Sequence, residues 1–145
     1  MAKKFVTLIL STILFVNTTM AESQQQKNDD LLNAIRSDNL NAAKNLIASG
    51  AQINYVDPIV GSPLRLASTL GKTNLVKLLL QNGADQTRKN SALLAASEKG
   101  YSDVIKLLIS NGADVNTVDK YGNTPLKVAK TEAIKKLLRE NGAKK

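Results

Sequence analysis

Neither cysteine nor histidine occurs anywhere in this chain of 145 residues. Those two absences remove disulfides, thiolate and imidazole metal ligands, and catalysis by Cys–His or Ser–His pairs. Tryptophan is missing as well, and aromatic residues make up only 3% of the chain. A core must then be built from Leu, Ile, Val and Ala, the material of helix-rich folds. A Ser–Lys nucleophile has no Ser-x-x-Lys stretch in a strained strand-to-helix turn to work from. Asp57, Asp85, Asp114 and Asp119 fall at repeat-equivalent turn positions, where Asp acts as a turn former bonding its own backbone. The chain is therefore not expected to be an enzyme, and no metal or cofactor is expected.

One stretch tests that exclusion. Leu66 to Thr73 reads LASTLGKT, close to the phosphate-binding pattern G-x-x-x-x-G-K-[ST]. Gly71, Lys72 and Thr73 fit, but Leu66 stands where the first glycine is needed for close approach to an anion. The residues before it include Ser62-Pro63, a helix start and not the end of a buried strand. The stretch is better read as the end of one helix, a glycine turn and the start of another.

Residues 1–21 differ from the rest. Two lysines in MAKK precede the apolar run Phe5–Val16, and Thr19 and Ala21 stand at the −3 and −1 positions of a cleavage site. That layout is a secretory signal peptide, with cleavage near Ala21 and a periplasmic or secreted destination. An uncleaved N-terminal anchor is the alternative, although the run is shorter than the roughly 20 residues that span a bilayer. Residues 22–28, polar and without apolar periodicity, read as a flexible linker.

From Asp29 onward one unit recurs four times. Glycine markers appear at Ser49–Asn54, Asn82–Thr87, Asn111–Asn116 and Asn141–Ala143. Upstream markers read SPLRLA from Ser62, SALLAA from Ser91 and TPLKVA from Thr124, with the degraded DDLLNA from Asp29. The starts lie 33, 29 and 33 residues apart, giving units of about 29–61, 62–90, 91–123 and 124–143. Ser62 and Thr124 can cap a helix whose first residue is Pro63 or Pro125. Leu75, Val76, Leu79 and Leu80 recur at helical spacing, as do Val104, Ile105, Leu108 and Ile109.

These markers resemble the ankyrin repeat, whose T-P-L-H-x-A signature and period of about 33 they follow. The resemblance implies an all-α solenoid of four helix-turn-helix repeats with short β-turn fingers, stable because stacked units bury one another. It also implies a protein-binding module, a monomer, whose partner docks on the concave face of finger tips and first helices. Carried onto this sequence, the candidate contacts are Arg36, Tyr55, Ile59, Val60, Thr69, Leu70, Glu98, Lys99, Lys120 and Tyr121. Tyrosine and small apolar clusters are typical of binding centres. Ile59-Val60 could equally fold back on the adjacent finger, with Tyr55 merely packing there. The signature's His is Arg65, Leu94 or Lys127 here, so its hydrogen bond to neighbouring turns is expected to be absent. Between Gly83 and Ser91 the finger should be truncated.

Charge is uneven. Glu22 to Asp119 carries ten basic and ten acidic residues, whereas Lys120 to Lys145 carries eight and two. Lys127, Lys130, Lys135, Lys136, Arg139, Lys144 and Lys145 crowd the last unit. Two readings stand: a solvated cap over an open solenoid end, or a basic patch making weak contact with an anionic envelope surface. Nucleic acid is not an expected partner, since no aromatic interleaving is present to stack bases.

Overall fold

A computed structural model describes residues 1–144, in which eight α-helices follow one another: α1 Ala2–Arg36, α2 Leu40–Ala48, α3 Pro63–Thr69, α4 Thr73–Gln81, α5 Gln86–Lys99, α6 Ser102–Ser110, α7 Pro125–Val128 and α8 Glu132–Glu140. Consecutive helices pack as pairs. The first members stack α1–α3–α5–α7, and α2, α4 and α6 form a second layer behind them. No single pair could bury its own apolar face. Leu31, Ile35, Leu64, Leu75, Leu79, Leu93, Ile105, Leu108 and Leu138 are all fully buried between the layers.

The helix starts follow local chemistry. Ser62 Oγ accepts from Arg65 N at 3.2 Å and Thr124 Oγ1 accepts from Lys127 N at 3.2 Å, with Pro63 and Pro125 at the first helical position. LASTLGKT is the expected helix, turn and helix: α3 ends at Thr69, Gly71 has φ +68°, and α4 begins at Thr73. Lys72 reaches Asp38 of the preceding turn at 3.2 Å, so the lysine joins two units. Because that pair is part-exposed, Lys72→Ala should lower stability by only about 0.2–1 kcal/mol in urea titration.

Two expectations need correction. Residues 22–28 are not a flexible linker: they belong to α1, and Asn28 is 2% exposed. Their polar side chains hold the far end of the pair. Gln24 donates to Gly50 O, Lys27 donates to Ser49 O, and Asn28 Oδ1 accepts from Gln52 N at 2.9 Å. Such contacts satisfy carbonyls that a helix end leaves without partners. The chain between Gly83 and Ser91 is not merely a shorter finger. Asp85 caps α5 by accepting from Arg88 N at 2.9 Å, so Gln86–Asn90 continue the helix and no finger projects there.

The two corrections share a cause. Gln24, Lys27 and Asn28 recur as Gln86, Lys89 and Asn90, 62 positions on, and make the same bonds. Gln86 donates to Gly112 O, Lys89 donates to Asn111 O, and Asn90 Oδ1 accepts from Asp114 N. Asn54 and Asn116 repeat at the same spacing. Each bridges the next glycine turn, donating to Gly83 O or Gly142 O. Asp38, with φ +55°, occupies the place of Gly100. The solenoid is thus two copies of a two-pair module, in which a fingerless pair alternates with a fingered one.

Candidate functional site

Each finger is built around one aspartate. Asp57 Oδ1 accepts from Ile59 N and Val60 N, both at 2.8 Å, while Asp57 and Gly61 exchange backbone hydrogen bonds. Asp119 Oδ1 accepts from Tyr121 N at 2.8 Å and Asn123 N at 2.9 Å. The Val60 amide beside Asp57, and the Asn123 amide beside Asp119, hold both carboxyls below their ordinary pKa. A lowered folded-state pKa gives stabilisation that is complete above the ordinary carboxylate value and is lost as pH falls through the lowered one. The fingers are therefore expected to loosen in acid.

The missing histidine has replacements. Arg65 donates to Val60 O and Lys127 donates to Gly122 O, each at 3.4 Å, so each long cation supports its own finger. Arg88 does the same for the preceding segment, donating to Asn54 O at 3.0 Å. The hydrogen bond to a turn that was expected to be absent is thus made by other side chains.

The candidate contacts divide. Ile59 is 91% exposed and Tyr121 is 74% exposed, both at finger tips. Val60 and Tyr55 instead pack against the core, and Tyr55 Oη accepts from Gln25 at 2.8 Å. Both are half-buried, which matches the alternative in which this finger folds back, and the helix over residues 22–28 supplies a partner for Tyr55. Arg36 ends α1 and donates to Asn33 Oδ1. Thr69 turns back to Arg65 O, and Leu70 is part-exposed at the end of α3. Lys99 is exposed at the end of α5.

Three of the expected residues come together. Glu98, Lys120 and Tyr121 line a groove of about 540 Å³, joined by Arg65, Leu94, Ala95 and Asn123. Lys120 Nζ sits 4.9 Å from the centre of the Tyr121 ring. Arg36, Ile59, Thr69, Leu70 and Lys99 do not line it. Arg65 and Leu94 are functional candidates that sequence reasoning passed over as departures from the His position; that very position lines the groove. Its floor is α5, a first-layer helix that no finger precedes.

The basic residues also divide. Lys127, Lys135 and Arg139 line a second concavity of about 440 Å³ with Gly122, Thr124 and Leu126. Lys135 is paired with Glu132 at 2.6 Å, and that contact lowers the Glu132 pKa. Lys136 points elsewhere, 3.9 Å from Glu140, and Lys130 lies along Gly100. Lys144 is fixed through its backbone N–H, which donates to Asn116 Oδ1. Lys145 lies outside the described residues.

Known proteins give matching results. A family model described as ankyrin repeats (3 copies) matches residues 31–119 and 64–145. An ankyrin repeat-containing protein of Saccharomyces cerevisiae is 41% identical over 66 residues, which is 45% of this chain and 13% of the yeast protein. The chain thus matches only a small part of that relative's length.

Proposed function

Because the chain belongs to the ankyrin-repeat family, we propose that it is a non-enzymatic binding module that holds a partner protein in the groove between α3, α5 and the finger Asp119–Asn123. The four helix pairs are read as four repeats, acting as a monomer. The groove itself carries this reading. It gathers an exposed Tyr, a part-buried Leu and cations from two elements, on a rigid floor of helix. Aromatic and Arg side chains dominate binding energies at protein interfaces.

Tyr121 is the anchor to test. It is exposed and its ring supports nothing in the core, so Tyr121→Ala should leave the thermal melt nearly unchanged. Partner binding should weaken by about 2 kcal/mol, as for a true anchor, measured by calorimetry once the partner is isolated. Full affinity in this variant would place the contact elsewhere.

Export is part of the same proposal. Residues 3–20 of α1 are exposed, and the helix is long and apolar enough to cross a membrane. The layout around Ala21 supports removal of this segment and action outside the cytoplasm. Mass spectrometry of protein from its host tests this, with an N-terminus at or near Glu22 as the expected result. Cytosolic protein that retains Met1–Ala21 would exclude it.

A second reading rests on the concavity that gathers Lys127, Lys135 and Arg139. It would hold the protein at an anionic envelope surface, in a manner sensitive to salt because screening shortens to about 8 Å near 0.15 M. Release of anionic vesicles at that salt, with no effect on partner binding, would separate the two.

A further inference from the structure

The absence of a finger before α5 changes what the groove can hold. The fingers at Asp57–Gly61 and Asp119–Asn123 stand two first-layer helices apart, since α3 packs on α5 and α5 on α7. Packed helix axes lie about 8–10 Å apart, so the fingers are roughly 16–20 Å apart at their bases. Fingers on every unit would halve that gap. An α-helix with its side chains is about 10–12 Å across. A notch of that spacing over α5 has room for a helix.

Its walls and floor have matching chemistry. Each finger shows two exposed apolar residues at equivalent positions, Val56 with Ile59 and Val118 with Tyr121, and of these Tyr121 lines the groove. Leu94, Ala95 and Val128 line it beside Tyr121. Arg65 lies against the first finger and Lys120 belongs to the second, and neither has an ion-pair partner among the described residues. Asp119 is largely committed to its own finger, its two oxygens accepting from the Tyr121 and Asn123 N–H groups and the Asn123 side-chain amide. Glu98 is the remaining acid in the groove. The floor is helix, whose backbone groups are paired internally, so it presents no edge to which an extended peptide could add as a strand.

From this we infer that the notch takes an amphipathic helix of a partner protein, its apolar stripe on Leu94 and Tyr121 and an acidic flank toward Arg65 and Lys120. The inference rests on the binding-module reading and specifies its ligand. Selection of a random 18-residue peptide library on the purified full chain tests both. Enriched peptides should carry apolar residues at i, i+3, i+4 and i+7 with an excess of Asp and Glu, and should gain helical circular dichroism on binding. Leu94→Lys should weaken them at least tenfold. Because Leu94 is part-buried, the double variant Arg65→Glu with Lys120→Glu, at exposed positions, serves as an independent arm. It should also weaken them tenfold, and peptides with Glu changed to Lys should recover on it. Binders that need Leu94 and Tyr121 but read as alternating or proline-rich would overturn the helix inference and keep the site. Binders indifferent to every variant would overturn both, and failure to enrich helical peptides would likewise overturn the inference.

Discussion

A chain that starts at Asp29 should be less stable than one that starts at Glu22 by about 2–4 kcal/mol. The shortened chain loses the bonds from Gln24 to Gly50 O, Lys27 to Ser49 O and Gln25 to Tyr55, and both bonds between Asn28 and Gln52. Each protein hydrogen bond contributes about 0.5–1.5 kcal/mol net, and exposed ones fall at the low end. Asn28 is the exception because it is almost fully buried. Asn28→Ala alone should reproduce about 1–3 kcal/mol of the loss, the cost of leaving a buried partner unmet. Urea titrations of the two chains and the point variant measure these differences. Equal midpoints would mean that the segment is ornamental and that the first unit begins at Asp29.

Gly71→Ala should be the second large effect, about 2–3 kcal/mol. Left-handed backbone costs an L-residue about 1–2 kcal/mol, and Gly71 has φ +68°. A Cβ there would also lie 2.8 Å from Cε1 of the Tyr101 ring, too close for real contacts. Tyr101 is part-exposed, so the ring can move aside at some cost. Gly83 offers a control, since it has φ +92° and nothing within 4 Å of a built Cβ. Gly83→Ala should therefore cost only the backbone term. In a Tyr101→Ala background, Gly71→Ala should fall to that same smaller value. An unchanged cost in that background would remove the ring from the account.

How much of this was legible follows from which interactions leave a mark in sequence. Ser62-Pro63 and Thr124-Pro125 announce helix starts because capping is local, and Leu75 to Leu80 announce α4 because apolar spacing is local too. Residues 22–28 gave no such mark. Their helix is held by polar side chains reaching carbonyls more than 20 positions away, a signal that apolar periodicity does not contain. The recurrence of Gln24, Lys27 and Asn28 at Gln86, Lys89 and Asn90 carries it, visible only when the chain is compared with itself at twice the repeat period. For the same reason the SALLAA marker points to Ser91, whereas α5 starts at Gln86. With the start at Ser91, the notch between the fingers could not be foreseen. Glu98, Lys120 and Tyr121 were reachable from finger position alone. Tyr55 was not, because whether it points out or in depends on the helix laid over it.

The central claim is that the concave notch, not the outer layer, meets a protein partner. A photo-crosslinking amino acid placed at Tyr121, and separately at the exposed Lys77 of α4, tests it in intact cells. The account predicts a discrete protein adduct from position 121 and none from position 77. An adduct from position 77, with none from position 121, would contradict it.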